Sequence, residues 1–364
     1  MSRIIISVTN DITTDQRVLR TCDCFNELGF EILLIGRELK NSFEINLPYK
    51  TYRFHLFFNK GFLFYAEYNL RLFIKLLFSK KDLLYANDLD TLLPNFMISK
   101  MTSSKLIYDS HEYFTEVPEL IARPKIKSFW IKLERSIFPQ LKNVITVNQK
   151  LADIYSSTYK VPVSVIKNVP KCADKKVFDP IVTLSKDQKM ILYQGSLNTG
   201  RGLELMIDAM KYLKNHLLVL AGDGDILDQL QLRVIEHQLK DRVIFLGKLL
   251  PEQLVNVTRQ ADIGLSLEED LGLNYRYCLP NKVFDYVCAG IPVLVSDLPL
   301  LRELLSAYKI GECLTERNPE NLAAMIEHII RNKSDFQGEL ISASGQLNWE
   351  NEKKVLIEFI NQID

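Results

Sequence analysis

Short apolar runs alternate with segments of helical period along almost the whole chain, and this alternation limits the possible folds more than any other feature. In the first half, amphipathic stretches such as DQRVLRTCDCFNELG separate the runs RIIISV, FEILLIG, LLYAND, KLIYDSHE and NVITVN. In the second half, similar stretches separate MILYQG, HLLVLAGDG, RVIFLG, ADIGLSL, IPVLVSD and IGECL. Buried parallel strands with helices between them produce this pattern. The sequence therefore predicts an α/β fold, with ligand-binding groups at the carboxyl ends of the strands.

The length of the chain predicts two cores. Its 364 residues exceed the roughly 100 to 200 residues that one domain usually holds. Residues 161–188 are rich in proline and lysine and lack a helical period, which predicts a linker and the entry to a second domain. We expect Rossmann-like domains over 1–170 and 171–340, facing a central cleft. A C-terminal helix over 341–364 is expected to pack back across both domains.

The composition, 47% hydrophobic and 25% charged residues, is that of an ordinary soluble globular protein. Charged side chains interrupt the most apolar region, so no segment reaches the roughly 20 apolar residues that cross a bilayer. The chain starts directly with a strand-like run, MSRIIISVTN, so we expect no secretory signal and a cytoplasmic location. The six cysteines show no CxxC pair, which favours buried free thiols over a zinc site.

Charge is balanced over the whole chain but not along it. Residues 1–170 contain 23 Lys and Arg against 17 Asp and Glu, a net of +6; from totals of 45 and 45, the remainder carries 22 against 28, a net of −6. This asymmetry predicts an anionic surface or acceptor beside the first half. Nucleic acid is not an expected partner, because no recognition module accompanies the basic residues.

Two basic stretches, residues 54–81 and 123–138, interleave aromatic and aliphatic side chains with Lys and Arg. Helices that rest on an anionic membrane have this composition, and such peripheral contact would lie at the inner face of the cell membrane. Core helices whose lysines reach out to solvent have it too. The sequence leaves both alternatives open.

A glycine-punctuated turn in YQGSLNTGRGLELMIDAM leads from a predicted strand into a predicted helix. Gly195, Gly200 and Gly202 surround the turn, and Arg201 stands beside the helix start. Backbone N–H groups at a helix N-terminus attract anions, and an arginine adds charge-assisted hydrogen bonds, so a phosphate or diphosphate is the implied ligand. The alternative is an ordinary turn with a solvated arginine. The run AGDGD ends the next strand with a second close turn.

The segment DLGLNYRYCLPNKVFDYVCAGIPVLVSD carries the strongest signal. Residues 272–274 can present consecutive backbone N–H groups to ligand oxygens, and Lys282 falls in the first turn of the helix that Pro280 introduces. A cation opposes the helix dipole there, and a bound anion would explain it. Asp285 lies on the same helical face, where it forms either a surface pair with Lys282 or a site for hydroxyls.

These segments together resemble the retaining, nucleotide-sugar-dependent glycosyltransferases of family 4, which have the GT-B fold. The resemblance rests on YQGSLNTGRGLELMIDAM, FLGKLLPEQL and GLNYRYCLPNKVFDYVCAGIPVLVSDLPLLRELL, supported in the first half by TDQRVLRTCDCFNELGFEILLIGR, ANDLDTLLP and LIYDSHEYF. It implies a donor bound by the second domain and an acceptor bound by the first.

The resemblance also implies roles for individual residues. Arg201 matches the family's basic residue on the donor diphosphate, and Asp285 stands where a glutamate usually binds the ribose hydroxyls. His111, in DSHE, matches the family's histidine near the transferred sugar. The expected catalytic residues are His111, Arg201 and Lys282. The expected donor-binding residues are Gly195, Ser196, Gly222, Asp223, Lys248, Gly272, Leu273, Asn274 and Asp285. The expected acceptor-side residues are Asp15, Arg17, Asp88, Asp109 and Glu112.

Two departures from the family pattern stand on the donor side. Ser196 occupies a position that is commonly basic, and Tyr277 stands where a first glutamate is common. We interpret them as marks of a subfamily in which Lys282 shares the diphosphate charge.

The predicted activity is metal-independent retaining hexosyl transfer. A UDP- or GDP-sugar would serve as co-substrate, without a cofactor. The acceptor would be a saccharide or a lipid-linked saccharide, in cell-surface polysaccharide synthesis. Asp88 and Asp90 have DxD spacing, but the resemblance puts them on the acceptor side, so no metal site is expected. A non-catalytic nucleotide-sugar-binding subunit and a nucleotide-sugar epimerase are the alternatives.

Overall fold

A computed structural model describes residues 2–13, 15–40, 42–121, 123–172 and 180–363. The chain divides into two compact units, the first comprising Met1–Asn168 with Glu352–Asp364 and the second Val169–Asn351. Part of the segment that we interpreted as a linker, residues 173–179, lies outside the described residues.

The first unit is built on a parallel sheet in the order β3-β2-β1-β4-β5-β6-β7. Its strands are β1 (Arg3–Asp11), β2 (Glu31–Arg37), β3 (Lys50–Phe54), β4 (Leu83–Asn87), β5 (Lys105–Ser110), β6 (Asn143–Thr146) and β7 (Ser164–Val165). Its helices are α1 (Gln16–Glu27), α2 (Gly61–Phe78), α3 (Leu89–Met101), α4 (Pro118–Ile121), α5 (Pro124–Ile137) and α6 (Gln149–Tyr159). The edge strands β3 and β7 were not predicted, because neither has the continuous apolar run of a central strand.

The second unit is built on a parallel sheet in the order β10-β9-β8-β11-β12-β13. Its strands are β8 (Lys189–Gln194), β9 (His216–Ala221), β10 (Val243–Gly247), β11 (Ile263–Ser266), β12 (Val293–Ser296) and β13 (Gly311–Leu314). The helices that follow them are α7 (Leu203–Ala209), α8 (Leu227–Glu236), α9 (Pro251–Gln260), α10 (Leu273–Arg276), α11 (Asn281–Ala289), α12 (Pro299–Ala307), α13 (Pro319–Arg331) and α14 (Lys333–Gln346).

A last helix, α15 (Trp349–Asn361), ends the chain. Its residues from Glu352 onward belong to the first unit, where Glu352 Oε2 accepts a hydrogen bond from Lys167 N at 2.9 Å. Lys353 forms an ion pair with Glu27 of α1. These contacts attach the C-terminal segment to α1 and to the segment that follows β7.

The alternation of strand side chains explains why each sheet is covered on both faces. In β8, Ile191 and Tyr193 belong to one buried cluster, while Met190 and Leu192 belong to another on the opposite face. Such strands have no solvated face, so they read as continuous apolar runs. The order of strands reverses between β1 and β4 and between β8 and β11. In open α/β sheets, ligands bind beside the carboxyl ends of the strands at such a reversal.

The expectation of free thiols was wrong for two of the six cysteines. A disulfide joins Cys172 to Cys288 of α11, with their Cα atoms 5.1 Å apart. They stand 116 residues apart in the chain, so only the folded second unit brings them together. Cys22 and Cys24 are buried and free, while Cys278 and Cys313 are free and partly exposed.

No helix in the described part of the chain is both long enough and apolar enough to cross a membrane.

Candidate active site

Two glycine turns pack backbone against backbone at the carboxyl ends of β8 and β9. Gly195 N donates to Ala221 O at 2.9 Å, and Leu197 N donates to Asp223 O at 3.0 Å. Gly222 has a φ of +151°, and a Cβ on it would lie 1.8 Å from Gly195 O. Only glycine fits there, because any side chain would force the two turns apart. The close packing leaves the backbone of Gly195 exposed at the end of the sheet.

The loop that carries Arg201 is attached to the end of β11. Glu269 N donates to Gly200 O at 2.8 Å. A Cβ on Gly202 would lie 2.4 Å from Leu267 O, so this approach also requires glycine. The guanidinium carbon of Arg201 lies 4.7 Å from the ring centroid of Tyr275, a cation–π contact that orients the side chain.

Glu268, which sequence reasoning missed, joins the two predicted cations. It lies two residues beyond the end of β11, and its side chain is fully buried. Its Oε1 lies 2.7 Å from Lys282 Nζ and 3.5 Å from Arg201 Nη1, while its Oε2 accepts from Ser266 Oγ at 2.7 Å. The available signal was the acidic pair Glu268-Glu269 immediately after the predicted strand ADIGLSL. Its contacts with Lys282 and Arg201 could not be inferred, because these residues are distant from it along the chain.

The cluster of Arg201, Glu268 and Lys282 carries an excess of positive charge. Burial alone would raise the pKa of Glu268, but Lys282 and Arg201 outweigh burial and lower that pKa to about 2. Two cations against one anion leave one positive charge in excess. Among the side chains that the structure describes, Arg201 Nε is buried without a hydrogen-bond partner. An unused donor and a surplus charge suit an anionic ligand.

Asp285 lies beside this cluster on α11, the helix that also carries Lys282 in its first turn. Its Oδ2 accepts from Gln194 Nε2 at 2.8 Å, and Gln194 Oε1 in turn accepts from Thr258 Oγ1 at 2.7 Å. This chain of hydrogen bonds orients the Asp285 carboxylate at the end of β8. Gln194 and Thr258 are further contributors that the sequence did not reveal.

The predicted turn at residues 272–274 is the start of the short helix α10. Gly272 has a φ of +141° and precedes Leu273, the first helical residue. Gly272 O accepts from Arg276 N at 2.9 Å, and Asn274 is buried. The segment therefore presents its first backbone N–H groups at a helix start rather than in an open turn.

The remaining donor-side residues lie at the margin of this arrangement. Ser196 is exposed, and its carbonyl accepts from Tyr193 OH at 2.7 Å. Asp223 is exposed and accepts from Gly224 N at 2.8 Å. Lys248 is exposed and follows β10, the edge strand, which is separated from β8 by β9.

A second charged network lies at the carboxyl ends of β4 and β5 in the first unit. Arg17 forms a buried bidentate pair with Asp109, with N–O distances of 3.0 and 2.8 Å. Tyr85 OH donates to Asp109 Oδ2 at 2.7 Å. His111 lies between two carboxylates, its Nδ1 3.3 Å from Asp88 Oδ2 and its Nε2 3.3 Å from Asp109 Oδ2. Its backbone N also donates to Asp88 Oδ1 at 2.8 Å.

The two carboxylates keep His111 positively charged. Burial alone would lower the pKa of His111, but Asp88 and Asp109 outweigh it and raise the pKa to about 9. Arg17 and His111 overcome burial and hold the pKa of Asp109 below its usual range, whereas burial raises the pKa of Asp88. His111 is therefore an imidazolium at neutral pH, a form that can donate a proton but cannot accept one.

The other acceptor-side residues have structural partners. Asp15 caps α1, its Oδ1 accepting from Val18 N at 3.2 Å. The carbonyl of Glu112 accepts from Ser110 Oγ at 2.9 Å. Burial, reinforced by Asp88, raises the pKa of Asp90 to about 8, and its Oδ2 accepts from Thr9 Oγ1 at 2.5 Å. Asp90 is therefore mostly neutral at pH 7.

Residues 174–344 match the profile of a family described as glycosyl transferases group 1. The second unit is a group 1 glycosyl transferase domain. The whole cluster of Arg201, Glu268 and Lys282 lies within this glycosyl transferase domain, as does Asp285. The His111 network lies outside the matched range. The resemblance that we inferred from the motifs is thereby confirmed at the level of the group 1 family.

Two curated relatives show how far the sequence similarity extends. An uncharacterized glycosyltransferase from Methanocaldococcus jannaschii is 27% identical over 204 residues, which cover 51% of this chain and 50% of that protein. The alpha-monoglucosyldiacylglycerol synthase of Streptococcus pneumoniae is 22% identical over 248 residues, which cover 66% of this chain and 50% of that protein. The chain spans about half the length of the curated relatives it matches.

Solved structures share the fold of the whole chain. Sucrose-phosphate synthase from Thermosynechococcus elongatus matches with a TM-score of 0.79 at 15% identity, covering 100% of this chain and 99% of that one. HepE from Anabaena, crystallised with UDP-glucose, matches with a TM-score of 0.73 at 14% identity, covering 99% of this chain and 100% of that one. At these identities the likeness concerns the fold alone. The predicted GT-B fold is confirmed.

Proposed function

We propose that this group 1 glycosyl transferase domain binds a nucleotide-diphosphate sugar and that the chain transfers the hexose with retention of configuration. The observation that carries the proposal is the cluster of Arg201, Glu268 and Lys282 at the reversal point of the second sheet. Its surplus positive charge and the unpartnered Arg201 Nε match the needs of a diphosphate. Asp285, oriented by Gln194, would accept hydrogen bonds from the ribose hydroxyls.

The proposed reaction needs positive charge beside the leaving nucleoside diphosphate. When the bond to the anomeric carbon breaks, the sugar acquires oxocarbenium character and the nucleoside diphosphate gains negative charge. Arg201 and Lys282 are already oriented, by Tyr275 and by Glu268, so they can stabilise this developing charge without reorganisation. We propose that these two cations take the place of a metal ion. The imidazolium of His111 would stabilise or protonate an oxygen on the acceptor side.

The donor and acceptor classes are also proposed. HepE was crystallised with UDP-glucose, which makes UDP-sugars the first donors to test and GDP-sugars the second. The S. pneumoniae relative is named for glycosylating a diacylglycerol, which supports a lipid-linked saccharide as acceptor beside a soluble one. We propose that the chain works on cell-surface polysaccharide or glycolipid, in the cytoplasm at the inner face of the membrane.

A non-catalytic nucleotide-sugar-binding subunit is the second candidate. It is favoured by Ser196 and Tyr277, which stand where basic and acidic residues are common in family 4. Such a subunit would bind the donor at the same cluster but would neither transfer nor hydrolyse the sugar.

The testing experiment is a thermal-shift screen of the whole chain against UDP, GDP, ADP and their common sugar conjugates, with and without Mg²⁺. A ligand that binds only the folded state raises the melting temperature by mass action. We expect one nucleotide series to raise it without Mg²⁺ and Arg201→Ala to abolish that rise. Exposed Arg331→Ala serves as the control.

The outcomes separate the candidates. No shift with any nucleotide at millimolar concentration would overturn the donor site. A shift without sugar transfer to a mixture of saccharide and lipid acceptors would select the non-catalytic subunit. Nuclear magnetic resonance of the anomeric proton in a product would decide between retention and inversion.

A further inference from the structure

Helix α2 has apolar side chains on two different faces. One face is buried in the first unit and carries Phe64, Tyr68, Leu72 and Leu76. The second face carries large apolar side chains that remain exposed: Phe62, Leu63, Leu70, Ile74 and Leu77. Residues three and four positions apart share a helical face, so the exposed residues form one stripe along the helix. The buried face fits the core-helix alternative drawn from the sequence, and the exposed stripe is the feature that the membrane alternative requires.

The exposed stripe continues onto α5. The ring centroids of Phe62 and Phe129 lie 6.0 Å apart, which places the two helices side by side at this point. Phe129 is itself 45% exposed. Lys125 and Lys132 lie one turn before and after Phe129 and are exposed. We call the exposed stripe of α2, together with Phe129, Lys125 and Lys132, the α2–α5 face.

Exposed lysines lie at both ends of this apolar surface. Residues 57–81 carry a net charge of +4, from five Lys and Arg and one acidic residue, Glu67. Three of the five cations are engaged: Arg71 pairs with Glu67, Lys75 lies over the Tyr52 ring, and Lys81 Nζ donates to Leu76 O. Lys60, just before α2, and Lys80, just after it, are exposed. An apolar stripe with lysines around it matches the chemistry of an anionic membrane surface, whose acyl chains accept the apolar groups and whose headgroups attract the lysines.

We propose that the α2–α5 face docks the protein on the surface of an anionic lipid bilayer. The buried face of α2 is already packed in the first unit, so the helix would lie along the membrane rather than across it. Two exposed residues at its centre, Leu70 at 62% and Ile74 at 48%, supply the apolar contact. The inference is independent of the transfer reaction, because it uses no residue of the donor cluster.

Charge favours a bilayer over the two other occupants of such a surface. A symmetric dimer would pair the face with itself and would bring Lys125 and Lys132 of both copies together, so like charges would oppose association. Nucleic acid would satisfy the lysines but would leave the aliphatic residues Leu70 and Ile74 without a partner, since bases stack on aromatic and not on aliphatic side chains.

The test is co-sedimentation of the full chain with vesicles of phosphatidylcholine alone and of phosphatidylcholine mixed with phosphatidylglycerol. We expect binding to the mixed vesicles that weakens as salt rises. Leu70→Gln with Ile74→Gln should lower the partition coefficient at least about tenfold, because two aliphatic side chains lose their apolar contact. Lys125→Glu with Lys132→Glu should lower it about as much for the mixed vesicles only.

Matched variants on the second unit provide the controls. Leu232→Gln with Ile235→Gln changes two exposed aliphatic residues of α8, and Lys214→Glu with Lys240→Glu reverses two exposed lysines. Both should bind vesicles as the unchanged protein does. The proposal is overturned if the unchanged protein does not bind mixed vesicles at low salt, or if the α2–α5 variants and the controls bind equally.

Three further readouts separate vesicle binding from misfolding, from dimer formation and from nucleotide binding. Circular dichroism of each variant must match that of the unchanged protein, since exposed positions should not alter the fold. If the α2–α5 face instead joins two copies, light scattering on a sizing column would show a dimer, and Leu70→Gln with Ile74→Gln would dissociate it. This result would also overturn the proposal. Nucleotide-induced thermal shifts should persist in all four variants, whatever the vesicles show.

Discussion

A single carboxylate, Glu268, organises the proposed donor site. It accepts hydrogen bonds from Lys282 and Ser266 and lies within ion-pair distance of Arg201. Without it, two cations would share a buried space and repel each other. Glu268 is therefore a positioning residue: it holds the two cations where a diphosphate would meet them.

Replacing Glu268 by Gln is expected to lower the free energy of unfolding by roughly 1–3 kcal/mol, because a buried ion pair loses one partner but keeps an acceptor. Sugar transfer should fall at least about tenfold in kcat, because the cations are no longer held in place. Chemical denaturation and initial rates would measure both. Glu269→Gln, at the neighbouring and more exposed position, is the control and should change neither. Unchanged kcat in Glu268→Gln would contradict the positioning role.

Gly222→Ala tests the close packing of the two glycine turns. The added Cβ would overlap Gly195 O, and the φ of +151° is unfavourable for alanine, so we expect a loss of at least about 2 kcal/mol in the free energy of unfolding. Gly338→Ala, inside α14 with open space around it, should instead stabilise the protein by about 0.5–1 kcal/mol. Urea titration of both variants distinguishes local crowding from a general effect of alanine. A neutral Gly222→Ala would show that the turns can separate freely.

At the scale of secondary-structure elements, the ends of β4 and β5 together raise the pKa of His111. Asp88 follows β4 and Asp109 lies in β5, and the parallel pairing of these strands brings both carboxylates to the imidazole. Neither strand alone could do so.

The raised pKa of His111 predicts a pH-dependent contribution to stability. Its folded pKa of about 9 exceeds the usual 6.5, so the stabilisation is complete below about pH 6.5 and is lost as the pH rises towards 9. We expect the difference in unfolding free energy between the unchanged protein and His111→Gln to shrink by roughly 2–3 kcal/mol over this range. Burial also raises the pKa of Asp90 and Glu134. The contribution of Glu134 is the same in both proteins, whereas His111 lowers the pKa of Asp90, so Asp90 adds to the pH-dependent difference.

Urea titrations at several pH values would measure this difference, with His328→Gln on the exposed end of α13 as control. A constant difference from pH 6.5 to 9 would show that His111 is not held as a cation by its two neighbours.

At the scale of the whole molecule, each unit has its own sheet and its own buried core, and the second is additionally cross-linked. The disulfide between Cys172 and Cys288 closes a loop of 116 residues and attaches the start of the second unit to α11, the helix of Lys282 and Asp285. Reducing compartments keep such pairs as thiols. The proposed cytoplasmic location therefore predicts that Cys172 and Cys288 are free thiols in the cell.

Oxidised protein should be more stable than reduced protein by up to roughly 4–5 kcal/mol in the chain-entropy account of a loop this long. Calorimetry with and without a reductant would measure the change in melting temperature. Cys288→Ser should remove the dependence on reductant, and Cys313→Ser should retain it, because Cys313 is free. Six alkylatable thiols in the air-oxidised protein would disprove the bond, and alkylation in intact cells would report its state there.

Much of the fold and part of the candidate site followed from local sequence signals. The buried runs of β8 and β9, the glycine turns after them and the first turn of α11 were all predicted, because apolar periodicity and turn chemistry act over a few neighbouring residues. For the same reason Arg201 and Lys282 could be selected from the sequence. The edge strands β3 and β7 could not be predicted, because neither has the apolar run by which β10 and β13, the edge strands of the second sheet, were recognised.

The sequence by itself thus determined the α/β class, the succession of the central strands along the chain and the turns that carry the proposed donor-binding groups. Only the tertiary structure decided which side chains meet: Glu268 with Arg201, Arg17 with Asp109, Cys172 with Cys288, at separations of 67, 92 and 116 residues. It also decided which apolar face of α2 is buried and which stays exposed. Local propensity contains no information about such partners, because parallel pairing and helix packing join elements that are distant along the chain.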